Sequence, residues 1–540
     1  MTETIKKCRI TGADFVVTDD EQKFCEMMNV PFPTLCPEER IRRLMMERNA
    51  RSLYYRTCDS TGKKILSQHH PDMPFPVFNT PVWWGDTWDA ADYGVGFDFS
   101  RPFFEQFLEL KNRVPHMATY VIWGTLENSD FTNCTGYLKN CYLISECDYD
   151  EDCYFSNRIY HSKDIVDCSN MNKCELCYEC LDCTECNRLR YCEECSQCSD
   201  SYALYQCRDC HDCIGCINQH HKKHMIFNVQ YTPEEYEAHK AAFELGTRDG
   251  VEKLRVQCDE FFKGQPHKPL QEEHNQNSTG DHLYHSKNSF NCFDSRDLED
   301  CRNCMRVAGG VKSAENYVSW GFKAEKIYMC SSCGDDVYNL RFCSMCTTNV
   351  SDSDYCYLIT GCSNCFGCVG LKKKKYCILN KQYTKEEYEK LVPKIIEHMK
   401  STGEWGKYLP PELCSFAYNE AIVMENFPLS KEEVLARGYR WREEEEVSTP
   451  DEINDKILKC EVSGKFFKLI PQELRFHDKL GIPIPSRCPR QRHTDRCARR
   501  NTYHLYDRAC AKCSCEIKSA YSPRKSEVVY CQNCYLQEAY

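Results

Sequence analysis

The chain has 540 residues, a net charge of −12 and 43 cysteines. That length admits three or more domains, and the lack of any 18-residue apolar run excludes an ordinary transmembrane helix. Cysteine makes up about 8% of the chain, near the level that marks a metal- or disulfide-dependent scaffold. Hydrophobic residues make 41% with cysteine counted among them, so sulfur has to supply part of the core. An odd cysteine count excludes complete pairing within the chain. The opening MTETIKKCRITG has lysines but no apolar segment, so no secretory signal is expected and the expected location is the cytoplasm, where thiols stay reduced. Reduced thiols point to metal, or to burial as small apolar groups.

The two ends of the chain match without a gap, at an offset of 452. Cys8, Gly12, Phe15, Pro31, Pro33, Cys36, Pro37, Arg40, Arg48, Asn49, Tyr54, Arg56 and Cys58 recur as Cys460, Gly464, Phe467, Pro483, Pro485, Cys488, Pro489, Arg492, Arg500, Asn501, Tyr506, Arg508 and Cys510. The two ends are therefore copies of one module. The N-terminal copy is expected to hold its shape by packing Trp83, Trp84 and Trp88 rather than by metal, because Thr61, Asn79 and Val82 stand where ligands would be needed. An exposed stacking surface is the alternative for these tryptophans.

From Cys141 to Cys216 every cysteine falls on a residue number divisible by three, among Asp, Glu, Asn, Ser and Tyr. A three-residue period would spiral around an α-helix of 3.6 residues per turn. Coils of six or twelve residues would instead bring the cysteines into one interior stack, so a short β-solenoid is expected. A second array, Cys292 to Cys377, keeps the triplet only in blocks. Residues 205–237 and 357–389 run parallel at an offset of 152. Both end in a capping box, Thr232 with Glu235 and Thr384 with Glu387. The first helix is expected to run to about Leu245, and the second to be kinked or split at Pro393. The arrays leave three chemistries open: a dry thiol ladder, zinc knuckles at Cys330-x2-Cys333 with Cys343-x2-Cys346, or iron–sulfur clusters at the CxxCxxC spacing of Cys174 to Cys186.

The last module is the strongest signal. Cys510-x2-Cys513, seventeen residues, then Cys531-x2-Cys534 has the spacing of a tetrathiolate Zn2+ site, two knuckles each turning a thiolate pair inward. Cys515 is expected to stand outside it. The opening pairs Cys8 with Cys36 and Cys460 with Cys488 lack second ligands at Thr11, Glu39, Ser463 and Gln491; Cys25 or Cys497 are the nearest candidates to complete them. Residues 456–540 carry 8 Lys and 9 Arg against 3 Asp and 5 Glu, a balance of +9 on an otherwise acidic chain.

The expected fold class is mainly β with α segments: zinc-ribbon-like modules at both ends flanking a duplicated, cysteine-rich β-solenoid-like region. In order these are a degenerate ribbon with a Trp/Phe-rich segment (1–125), the first array (126–230), a helix and linker (231–280), the second array (281–380), a helical segment (381–442), an acidic linker (443–455) and the basic zinc ribbon (456–540).

Val30-Pro31-Phe32-Pro33-Thr34-Leu35-Cys36-Pro37, Trp83-Trp84-Gly85-Asp86-Thr87-Trp88, the CIGCIN and CFGCVG repeats with their QYT.EEYE tails, and the closing Val529-Tyr530-Cys531-Gln532-Asn533-Cys534-Tyr535 resemble an uncharacterised cysteine-rich zinc-ribbon family of candidate-phyla bacteria. The resemblance spans nearly the whole chain and implies the ribbon fold and its metal, but no activity.

Three functions are open to these residues. Binding to RNA, the ribosome or another nucleic acid is expected through Arg487, Arg490, Arg492, Arg496, Arg499, Arg500, Tyr503 and Arg508, with Arg40, Arg42, Arg43 and Arg48 repeating the theme at the other end, since arginine pairs with phosphate and tyrosine stacks on bases. The plain alternative is an arginine-rich helix packed on the acidic body. A protein-interaction scaffold with structural zinc comes second. An enzyme comes last: the expected metal site is closed, and no phosphate-binding glycine loop or nucleophile elbow is present.

Overall fold

A computed structural model describes residues 3–307, 309–318, 330–331, 341, 348–443 and 457–539. Among these the chain is mixed α/β, with many short strands and twelve α-helices. It separates into two compact units, each assembled from two distant stretches: Met1–Thr119 with Leu270–Arg442, and Tyr120–Pro269 with Glu443–Tyr540. The N-terminal module thus belongs with the second cysteine array, and the C-terminal module with the first.

In the second unit the first array winds with a twelve-residue repeat. Glu175 pairs with Asn187, Tyr178 with Arg190, Leu181 with Glu193 and Thr184 with Ser196, all parallel. Every third residue, among them Lys173, Leu176, Glu179 and Asp182, lies at positive φ of 49–56°, so the chain turns a corner every three residues. Each corner occupied by a residue other than glycine costs on the order of 1 kcal/mol. Hydrogen bonding offsets that cost. The amide of Tyr178 reaches the Leu189 carbonyl one winding on, at 2.9 Å, and that of Glu179 reaches back to Val166 at 3.2 Å.

The amides of inward residues are met differently, and this is what selects cysteine. The Cys180 amide donates to Cys168 Sγ at 3.3 Å, Leu204 to Cys192 Sγ at 3.3 Å and Cys210 to Cys198 Sγ at 3.4 Å. Where serine stands inward the same bond goes to oxygen: Cys168 to Ser156 and Cys174 to Ser162, at 3.0 and 3.1 Å. The thiols in turn donate to backbone carbonyls, as Cys168 does to Val166 at 3.3 Å and Cys177 at 3.5 Å. The inward position thus favours a side chain that is small, accepts one amide and donates to one carbonyl, yet tolerates complete burial. Cysteine satisfies all of these at less desolvation cost than serine. The resulting core is sulfur filled out by Ile144, Ile159, Ile165, Met171, Leu189 and Leu204. Outside, like positions stack winding on winding, as in Lys139–Glu151–Lys163 at 3.4 and 3.3 Å. One flank packs on helix Arg248–Lys263 and on Phe476, Leu480 and Ile482 of the C-terminal module.

The first unit repeats the plan less regularly. Gly280 pairs with Cys292 and Ser351 with Ser363, twelve apart, but Glu299 pairs with Lys312, thirteen apart. Ser286, Ser289 and Ser295 take inward places, accepting the amides of Leu298, Cys301 and Val307. Both capping boxes form. The helix after Thr232 stops at Ala242, three residues short of the expectation, and Arg248–Lys263 follows as a separate helix. The other, Lys385–Ser401, runs unbroken through Pro393. Pro393 and Glu389 are both exposed, so water can take the carbonyl bond that proline forfeits.

Candidate metal centre and the arginine belt

Four hairpins share one knuckle geometry. At Cys8, Cys58, Cys460 and Cys510 the cysteine amide donates to the carbonyl five residues on, at 2.8 Å in each case. The amide four residues on returns to the cysteine carbonyl at 2.8–2.9 Å. That fourth residue has positive φ every time: Gly12, Gly62, Gly464 and Ser514. The second limb ends on Cys36, Asn79, Cys488 or Cys531, each directly before a helix. Its amide caps the first thiol, as Asn79 does Cys58 at 3.3 Å and Cys531 does Cys510 at 3.1 Å.

In three of the knuckles a hydroxyl stands where a second ligand would be needed. Thr11, Thr61 and Ser463 set a hydroxyl beside Cys8, Cys58 and Cys460. Burial raises the Cys460 thiol, but these bonds and the Cys488 amide outweigh it and hold it at about 7. Among the described residues, no third ligand atom joins Cys8 with Cys36, or Cys460 with Cys488, within 4.8 Å. Cys25 is buried elsewhere, and Cys497 sits 3.4 Å from His493 Nε2 instead. In the N-terminal module Trp83 is buried, donating to the Pro115 carbonyl at 3.0 Å, while Trp84 is 37% exposed. Lys372 lies over the three tryptophan rings, 4.5 Å from Trp83, 5.0 Å from Trp88 and 5.6 Å from Trp84. The tryptophans are thus a half-closed cation cage rather than a bare stacking face.

The fourth knuckle is all sulfur. The Sγ atoms of Cys510, Cys513, Cys515 and Cys531 lie within 4.8 Å of one another, and Cys513 is 3.8 Å from Cys531. The Cys534 thiol contacts Cys531, Cys513 and Cys510. A tetrahedral thiolate centre with metal–sulfur bonds of about 2.3 Å has sulfur–sulfur edges of about 3.8 Å, so the donor set fits a metal ion. Burial raises Cys510, but the amides of Cys531, Cys513 and Lys512 outweigh it and hold this thiol at about 6, ready to ligate. Cys515, expected outside the set, is inside it, and Cys534, expected as its fourth ligand, is not among the four that converge. Ser514 takes the left-handed turn that glycine fills in the other knuckles, and Cys515 follows it directly. Of the weaker candidate site, Cys330 is buried in a two-residue strand and is disulfide-bonded, so it offers no thiolate to a metal, and Cys333, Cys343 and Cys346 lie outside the described residues. Among the described residues no three array thiols converge within 4.8 Å.

The arginines proposed for phosphate turn inward. Arg492 is bound to Asp167 and, at 2.9 Å, to Glu473. Arg496 reaches the same Asp167 at 2.8 Å and the Phe155 carbonyl at 2.9 Å. Arg499 meets Glu193 at 2.5 Å and Arg500 meets Asp182 at 3.0 Å. The other end repeats the core of this arrangement: Arg40 pairs with Glu21 at 2.8 Å and Glu315 at 3.5 Å, and Glu21 and Glu473 are equivalent at the 452 offset. Arg42 bonds Glu39 and Tyr418 at 3.2 and 2.9 Å, Arg43 the Leu409 carbonyl, and Arg48 is buried. Arg487 is held by Glu461 and Asp495, Arg508 by the carbonyls of Ser522 and Glu527, and Tyr503 is 6% exposed. Of the set, Arg490 is the one exposed side chain. The physical reason is carboxylate supply: the acidic windings offer Asp167, Asp182 and Glu193 along the face on which the module lies, and a desolvated guanidinium finds its partner there.

Among the described residues no helix is long and apolar enough to cross a membrane. Comparison with protein-family models and with curated proteins finds no match for this chain.

Proposed function

We propose that the chain is a zinc-stabilised, non-enzymatic binding scaffold, in which two β-solenoids carry long polar faces and the ribbon modules lock them laterally. The observation that carries this reading is the inward turn of the arginine belt. Arginines spent on Asp167, Asp182, Glu193 and Glu315 leave little cationic surface for phosphate, whereas the carboxylate-rich coil surface stays open to a protein partner. The tetrathiolate spacing supports zinc as the ion. The resemblance to the candidate-phyla ribbon family agrees with that assignment.

RNA or ribosome binding is the competing reading, and one titration separates the two. Bulk RNA is titrated against the full chain from 20 to 200 mM salt (roughly the range over which phosphate contacts weaken). The scaffold reading expects no steep dependence, and expects affinity capture to yield a stoichiometric protein partner that survives nuclease. Tight binding at low salt with a slope of several counterions would overturn it in favour of RNA.

A further inference from the structure

The C-terminal centre holds more sulfur than one tetrahedral ion can use. The additional ligand is confined to this knuckle: the residue equivalent to Cys515 is Ala13, Lys63 and Lys465 in the other three. Cys515 contacts Cys513 and Cys531, and Cys534 contacts Cys531, Cys513 and Cys510. Each is therefore adjacent to thiols that the other also touches. The two approach by different routes. Cys515 leaves the first hairpin just after its left-handed turn, while Cys534 stands on the first turn of helix Gln532–Ala539, where its own amide caps Cys531 Sγ at 3.4 Å. Cys513 and Cys515 are exposed and Cys531 is half-buried, so the cluster opens to solvent on the side where Cys515 sits. A purely structural tetrathiolate has no use for a fifth thiol on its open face.

We infer that Cys515 and Cys534 alternate as the fourth thiolate of this centre, making it a labile site that passes its ion on by ligand exchange. The inference rests on the zinc reading of the centre. The step is balanced within the cluster: the incoming thiol gives up its proton as its metal–sulfur bond forms, and the outgoing thiolate takes up a proton as its bond breaks. No oxidant or reductant takes part. An external thiolate or chelator enters by the same associative route, with Cys515 holding the ion while Cys534 lets go.

The test uses the full chain, zinc-loaded, as wild type, Cys515→Ser, Cys534→Ser and the double variant. Cobalt substitution reports the sulfur count by its absorption spectrum, and transfer to a chromogenic chelator reports lability. The expected results are one ion per chain and a tetrathiolate spectrum in wild type and both single variants, a three-sulfur spectrum in the double variant, and transfer slowed at least threefold by Cys515→Ser. Should the double variant fold poorly, alkylation of the loaded wild type decides: exchange labels both Cys515 and Cys534, whereas a fixed site labels only whichever of the two is not its ligand. Loss of the tetrathiolate spectrum in Cys534→Ser, or wild-type transfer rates in Cys515→Ser, would overturn exchange while leaving the zinc site standing. A wild-type chain that takes up no zinc would defeat both.

Discussion

Asp167 is the test of whether the arginine belt is architecture. Its carboxylate is fully buried and receives both Arg492 and Arg496, whose side chains are 4% and 2% exposed. Asp167→Asn keeps the shape and removes the charge. Arg496 then faces a neutral amide oxygen and the Phe155 carbonyl, while Arg492 keeps Glu473 as its carboxylate. Removing one partner from a buried ion pair costs about 3–5 kcal/mol, because the remaining charges stay desolvated. With a urea slope of about 3 kcal/mol/M, the midpoint should fall by about 1–1.7 M, read by near-ultraviolet circular dichroism. Adding Arg496→Leu should cost less than the sum of the two single changes, by at least about 1 kcal/mol, since both act on one contact. A midpoint shift for Asp167→Asn below about 0.3 M, or strict additivity in the double variant, would refute the burial argument and return these arginines to the solvent.

Three further outcomes are expected. Cys168→Val should destabilise by about 1–3 kcal/mol more than Cys168→Ser, although valine is the more apolar, because only serine can still accept the Cys180 amide; equal denaturation midpoints would show that the sulfur is mere filler. His69 is fully buried, and desolvation lowers it to about 3 from an ordinary value of 6.5. Its neutral form therefore stabilises fully above pH 6.5, and the contribution is lost as pH falls, by about 2 kcal/mol at pH 5. His69→Phe should remove that increment from the difference between urea midpoints at pH 7.5 and pH 5, and an unchanged difference would count against it. Asp150 takes an inward coil position, accepting the Ser162 amide at 2.9 Å, and burial pushes it up to about 9. Its raised value makes stability fall as pH rises from 3.8 to 9, so Asp150→Asn should stabilise the chain by several kcal/mol near pH 8 and far less at pH 4; a pH-independent effect would mean the carboxyl is solvated.

Much of the local architecture could be read from spacing alone. The triplet of cysteines implied that residues three apart share an interior, and the pairing of Tyr178 with Arg190 and the thiol-capped amides give that period its physical basis. The two capping boxes were equally legible because their partners lie three residues apart. What spacing could not supply was the partner of a long-range charge. Arg492 and Asp167 are 325 positions apart, and a run such as RCPRQRHTDRCARR looks the same whether it faces phosphate or a buried carboxylate. The internal duplication held a usable clue: Glu21 and Glu473 recur at the same offset as Arg40 and Arg492, marking a pair kept in both modules. Cys515 was missed for a local reason, because Ser514 does not advertise the left-handed turn that Gly12, Gly62 and Gly464 do.

The exchange of modules between arrays bears on how the protein is made. Residues 120–269 leave the ribosome well before residue 457, the first described residue of the module they pack against. At translation speeds of about 5–20 residues per second, that gap lasts on the order of 10–40 s. The N-terminal module waits in the same way for the stretch that begins at Leu270. During synthesis the nascent chain therefore displays uncompensated carboxylates such as Asp167 and an unpartnered flank, and neither unit can close until most of its message has been read.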